Sequence, residues 1–124
     1  MAKPDKRGLP RLIDAFGYSM KGFTAAWRYE ESFRQELILV VLLLPFAFWL
    51  ASTPVELILL ISSLFGVLIA ELINSAIEAV VDRTGLELHE LSGRAKDIGS
   101  AMVFLSILLA GLIWGIIGWS RLMF

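Results

Sequence analysis

Residues 55–82, VELILLISSLFGVLIAELINSAIEAVVD, decide how the rest of the chain is read. Most of the stretch has the composition of a membrane-spanning helix, yet its second half carries Glu71, Asn74, Glu78 and Asp82. At 100° per residue, Glu71 and Glu78 lie about 20° apart around a helix, and Asn74 and Asp82 fall within about 60° of one or the other. The four polar groups therefore share a face. A carboxylate turned toward lipid costs at least a few kcal/mol, so acids inside a span point into a bundle or a wet cavity and mark candidate functional sites. The same stripe is also compatible with interhelical hydrogen bonds that hold an oligomer together.

The composition agrees with a membrane protein. The 124 residues are 57% hydrophobic, with a mean hydropathy of +0.75, well beyond an ordinary soluble domain. A formal net charge of −1 is no signature of nucleic-acid binding, and no nucleic-acid partner is expected. The absence of cysteine excludes disulfides, thiolate metal sites and a cysteine nucleophile together. The N-terminal segment is basic but has no continuous apolar core and no small-residue cleavage motif, so no cleaved signal is expected.

Outward from the central stretch, the chain divides into one amphipathic and two further apolar segments. Residues 1–9 read as a loose tail. Over residues 10–30 the large apolar side chains Leu12, Phe16, Met20, Phe23 and Trp27 recur at helical spacing, with Arg11, Asp14, Lys21 and Arg28 on other faces. This predicts a surface helix whose basic residues suit anionic headgroups. The apolar run at 37–51, LILVVLLLPFAFWLA, is too short to cross a bilayer alone, so its helix is placed at 31–51. Pro45 is a potential kink, and Ser52, Thr53 and Pro54 read as a tight turn. The central span is placed at 55–82, with Ser62, Gly66 and Ala70 as a seam of small residues. A polar loop at 83–97 and a third span at 98–119, with Gly111 and Gly115, complete the chain. Lysine and arginine concentrate before residue 35 and in the 83–97 loop. This puts the N-terminus and that loop in the cytoplasm and the C-terminus on the far, periplasmic side.

On this layout Glu30, Glu78, Glu87, Lys96 and Asp97 collect near one membrane surface, and Glu71 lies about two turns deeper than Glu78. Mg²⁺ is typically held by one or two carboxylates plus phosphate oxygens and water. A deeper, desolvated acid is suited to take a proton from a lipid hydroxyl. No Walker A sequence, kinase glycine loop or HRD-type catalytic loop is present, so a soluble kinase fold is excluded. On spacing alone, His89 reads as a surface residue.

The segments GYSMKG (17–22), AAW (25–27), FRQE (33–36), ELINSAIEAVVDR (71–83) and ELHELSGRAKDIGSA (87–101) closely resemble the small bacterial integral-membrane diacylglycerol kinases. The resemblance covers nearly the whole chain and is most specific from Glu71 to Ala101. It implies an all-α homotrimer, each subunit a surface helix followed by three spans in the inner membrane. The implied activity is transfer of the γ-phosphate of Mg·ATP to diacylglycerol, giving phosphatidic acid. It further implies Glu71 as catalytic base, Glu30 and Glu78 as Mg²⁺ ligands, and Asn74 as a polar neighbour of that centre. Arg11, Tyr18, Glu87, His89, Lys96 and Asp97, with Glu30, Asn74 and Glu78, become the expected ATP contacts. Ser19, Gln35, Glu36 and Ser100, with Glu71, become the expected lipid contacts. Met20 departs from the tryptophan frequent in the family. An undecaprenol kinase of the same fold is the nearest alternative, and a non-enzymatic transporter or adaptor subunit a more distant one.

Overall fold

A computed structural model describes residues 7–85 and 89–124. Among the described residues the chain forms four α-helices: α1 (Leu9–Tyr29), α2 (Glu31–Leu50), α3 (Pro54–Arg83) and α4 (Glu90–Met123). The last three are long and apolar enough to cross a membrane.

Each boundary has a local cause. Between α1 and α2, Glu30 leaves the helical region at φ −115°, ψ 103°, while its N–H still donates to the Ala26 carbonyl at 2.9 Å. Arg34 reaches back from the first turn of α2. Its Nη1 donates to the carbonyls of Trp27 at 2.7 Å and Arg28 at 3.2 Å, two acceptors the end of α1 leaves without helical partners. Between α2 and α3, the Thr53 side chain accepts from the N–H of Glu56 at 3.2 Å, and the Glu56 carboxylate accepts from the N–H groups of Ser52 and Thr53. This reciprocal capping box, with Pro54 in the first turn, fixes the start of α3.

The beginning of α4 differs from the sequence reading. Residues 90–97, expected in a loop, form its first two turns. The His89 Nδ1 caps the helix by accepting from the N–H of Leu91 at 3.0 Å, and Arg94 pairs with Glu90 at 3.2 Å one turn away. Polar residues propagate a helix as well as apolar ones do, so the change in hydropathy at residue 98 marks no end of secondary structure.

Helix α3 is the centre of the bundle, packed most extensively on α4 and then on α2, whereas α1 contacts chiefly α2. One apolar cluster joins Ala26, Phe33, Val40, Leu64 and Leu68, and a second joins Ala47, Leu50, Leu60 and Ile117. Helix α2 runs through Pro45 as one element. The buried face of α3 runs through Leu60, Ser63, Leu64, Val67, Leu68, Ala70 and Glu71 to Asn74 and Ser75. This differs from the Ser62–Gly66–Ala70 seam read from the sequence, because Ser62 is exposed and a Cβ at Gly66 would meet open space. Large and small residues make the contact together, Leu60, Leu64 and Val67 beside Ser63, Ala70 and Ser75. Across it the Trp114 Nε1 of α4 donates to the Ser63 Oγ at 3.0 Å, and that hydroxyl donates to the Leu60 carbonyl at 2.7 Å. A Cβ at Gly111 or Gly115 would meet open space among the described residues.

Candidate functional site

The polar face of α3 is buried where it meets α2 and α4. Glu71 is 5% exposed and Asn74 8%, values that ionisable and amide side chains reach only when a structure is built around them. From α2, Glu36 is half-buried with its carboxyl beside that of Glu71. Its Oε2 is inaccessible and has no hydrogen-bond partner among the described residues. One turn beyond Glu71, the Asn74 amide Nδ2 donates to the Glu78 Oε1 at 3.1 Å. Glu71 and Glu78 are separated by about 10 Å along the helix axis, from the 1.5 Å rise per residue.

Glu30 brings a further carboxylate from the α1–α2 junction. Its pKa is raised above the usual carboxylate value, first by burial and then by the negative charges of Glu78, Glu71 and Asp82. Acids of α3 thus disfavour the charge on Glu30, an arrangement that a cation beside it would relieve. Among the described residues no three acidic or imidazole side chains form a closed metal cage. Two open carboxylates suit Mg²⁺, which keeps most of its positions for water and phosphate oxygens.

At the polar end of the bundle, the Lys96 Nζ of α4 lies 2.7 Å from the Asp82 Oδ1 of α3, both side chains substantially exposed. The sequence reading placed Lys96 near the carboxylates but did not identify Asp82 as its partner. Asp97, Ser100 and His89 are exposed on the same stretch of α4 or its cap. Glu87 lies outside the described residues.

Not all the expected residues converge. Tyr18 and Arg11 are 12 and 19 residues before Glu30 on one helix, so they stand about 18 and 28 Å from it along α1. Both are exposed, and Tyr18 is covered on its ring face by Lys21 at 5.7 Å. Gln35 faces outward and donates to Glu31. Ser19 lies in a groove of about 610 Å³ between α1 and α3 that also contains Glu30 and Ser75. A second groove, of about 620 Å³ and almost wholly apolar, runs beside it between Phe23, Trp27, Phe33 and Leu68. A third cavity, of about 360 Å³, lies among α2, α3 and α4 with Glu36 at its polar end.

Sequence reasoning missed Ser75, which a polar residue next to Asn74 on the same helix could have suggested. It also missed Arg34, whose role is invisible without the bend at Glu30, and Gly99, the one buried glycine on α4.

The sequence pattern of the prokaryotic diacylglycerol kinase family matches residues 17–118. The chain is 54% identical over 114 residues to the diacylglycerol kinase of Escherichia coli (strain K12), covering 92% of this chain and 93% of that protein. It is 50% identical over 108 residues to the Haemophilus influenzae diacylglycerol kinase, covering 87% and 92% of the two chains. Identity to the Helicobacter pylori (strain ATCC 700392 / 26695) diacylglycerol kinase is 42% over 112 residues, or 90% and 88% of the two chains. With three apolar helices and matches of this extent, the chain is a multi-pass membrane protein and an enzyme that belongs to the prokaryotic diacylglycerol kinase family.

Proposed function

We propose that this protein transfers the γ-phosphate of ATP to the free hydroxyl of 1,2-diacylglycerol, giving phosphatidic acid and ADP. The observation that carries the reading is the burial of Glu71 at 5% exposure, about 10 Å deeper along α3 than Glu78. In the reaction the lipid hydroxyl oxygen forms a bond to the γ-phosphorus while the bond from that phosphorus to the β–γ bridging oxygen breaks. The hydroxyl proton passes to the Glu71 carboxylate, which acts as general base.

Glu30 and Glu78 would hold Mg²⁺, and the charge repulsion at Glu30 supports that assignment. When bound, the ion neutralises phosphate charge. Asn74 orients the Glu78 carboxylate through its 3.1 Å hydrogen bond. Lys96, Asp97, His89 and Glu87 would meet the nucleotide, and Ser19, Gln35, Glu36 and Ser100 the lipid. Catalysis then rests on positioning and charge neutralisation, with no covalent enzyme intermediate.

The assembly we infer is a homotrimer. Arg11 and Tyr18 stand too far from Glu30 on their own helix to share its nucleotide, and the apolar window of α4 is only 6% buried by its own chain. Both features suit a site completed by a neighbouring subunit. Helix α1 would lie on the membrane surface with Leu12, Phe16 and Phe23 toward lipid. The distribution of lysine and arginine supports an inner-membrane orientation with the N-terminus cytoplasmic and the C-terminus periplasmic.

The test is phosphate transfer from radiolabelled ATP to dioleoylglycerol or undecaprenol by purified protein in detergent. Transfer to dioleoylglycerol is expected, with a loss of about 10²–10⁴-fold in Glu71→Gln and unchanged assembly on cross-linking. Preference for undecaprenol would replace the substrate, and near-normal turnover in Glu71→Gln would remove the base.

A further inference from the structure

Asn74 has one end held and one end free. Its Nδ2 donates to Glu78, and its Oδ1 is inaccessible and without a hydrogen-bond partner among the described residues. The amide cannot be turned over, because that would set its oxygen against the Glu78 carboxylate, acceptor against acceptor. What faces the free oxygen is Gly99 of α4, the one buried residue in the polar half of that helix. A Cβ built on Gly99 would overlap Asn74 Oδ1 and crowd the Cγ behind it. Of the other glycines on the four helices, none meets any atom in this way.

The geometry points to Gly99 as a positioning residue for the phosphoryl-transfer site: the missing Cβ leaves the slot that seats the Asn74 amide, and the seated amide aims Glu78. This rests on the reading of Glu78 as a metal-holding carboxylate. A glycine in the interior of a long helix is otherwise unfavourable relative to alanine, and Gly99 has an ordinary helical conformation that demands no glycine. The close approach to Asn74 supplies the reason for it.

The overlap has a cheap escape that discloses its purpose. The torsion about the Cβ–Cγ bond of asparagine is broad, so the overlap of a methyl at position 99 with Oδ1 is relieved by rotating the amide, and the 3.2 Å approach to Cγ, which the rotation leaves in place, needs a shift of only a few tenths of an ångström. That rotation takes Nδ2 away from the Glu78 carboxylate. Substitution at Gly99 therefore acts on the carboxylate through Asn74 more than on the packing of α3 against α4.

A double-mutant cycle of Gly99→Ala and Asn74→Ala tests this in the full-length protein. The Mn²⁺ affinity is measured by electron paramagnetic resonance in the presence of ATP, the Mg²⁺ dependence by turnover, and the melting temperature in metal-free detergent solution. Gly99→Ala is expected to weaken metal binding about tenfold or more, as losses of groups that orient metal ligands do. In the Asn74→Ala background the same substitution should leave metal affinity unchanged and should not lower the melting temperature, because alanine is the better helix former. Wild-type metal affinity in Gly99→Ala, or an equal loss in both backgrounds, overturns the proposal. If Gly99→Ala alone fails to assemble, the double variant must assemble, and its failure to do so is equally decisive against it. Absence of phosphate transfer by the wild-type protein would strike the reaction assigned above, while the melting cycle still decides whether Gly99 acts through Asn74.

Discussion

The Nζ of Lys96 lies 2.7 Å from the Oδ1 of Asp82, joining the polar ends of α4 and α3. With side chains 44% and 60% exposed, the pair adds little to the stability of the fold. Its consequence is orientation, since the ammonium is held at the end of the bundle where Glu30 and Glu78 lie. A polyphosphate carries more charge than one carboxylate and can draw the same lysine away. Lys96→Met is therefore expected to raise the KM for ATP about 10–100-fold, the worth of a charge-assisted hydrogen bond, while Asp82→Asn changes it by less than about threefold. ATP titrations at saturating lipid check both.

Glu30 predicts a pH effect of definite sign. Its folded-state pKa stands above the ordinary 4.5, through burial and the charges of Glu78, Glu71 and Asp82. The folded protein thus holds this proton more tightly than the unfolded chain, and its contribution to stability falls as pH rises from about 4.5 through the raised value. In metal-free detergent solution Glu30→Gln should melt higher than the wild type at neutral pH, and the difference should vanish toward pH 4. Mg²⁺ with ATP should reverse the order by offsetting the repulsion. Melting curves at several pH values with and without Mg·ATP are the measurement.

Trp114 and Ser63 form a hydrogen bond across the main helix contact, at 3.0 Å. Trp114→Phe removes the donor but orphans nothing, because the Ser63 hydroxyl keeps its own bond to the Leu60 carbonyl. The expected cost is about 0.6–1.5 kcal/mol. Trp114→Ala should cost about 3 kcal/mol or more, because it also empties volume between the two apolar clusters. Reversible denaturation in mixed micelles separates these values, and turnover at saturating substrates should follow the folded fraction.

How far the sequence disclosed all this depends on the distance over which each residue acts. Glu71, Asn74 and Glu78 share a face because seven residues nearly complete two turns, and that needs nothing beyond one helix. The structure keeps them together and buries the first two. The relations between helices were not legible in the same way. That Gly99 faces Asn74 depends on the rotation of α4, and that Arg34 serves the end of α1 depends on the bend at Glu30. Neither leaves a periodic trace. Of the small-residue seam at Ser62, Gly66 and Ala70, the chain's own packing buries only Ala70, alongside Leu60, Leu64 and Val67, because small residues permit close packing without saying which face meets a neighbouring helix. The polar start of α4 escaped because hydropathy reports on solvent, whereas capping by His89 is a matter of backbone hydrogen bonds.

Arg34 makes the last prediction, because it links a helix end to the carboxylate beside it. Its Nη1 binds the carbonyls of Trp27 and Arg28, and its backbone N–H donates to the carbonyl of Glu30 at 3.2 Å. One residue thus holds both sides of the bend from which Glu30 projects, and its positive charge meets the negative end of the α1 dipole. Arg34→Gln removes the charge and the reach, leaving those two carbonyls to solvent at a cost of about 1–2 kcal/mol. The larger expected effect is on Glu30. With the bend loosened, the Mg²⁺ concentration for half-maximal turnover should rise about tenfold, in keeping with losses of groups that orient metal ligands, while the KM for diacylglycerol stays within about twofold. Backbone amide exchange at residues 28–32 should rise in the same variant. A raised lipid KM with unchanged Mg²⁺ dependence would mean that Arg34 serves the apolar groove between Trp27 and Phe33 instead of the carboxylate.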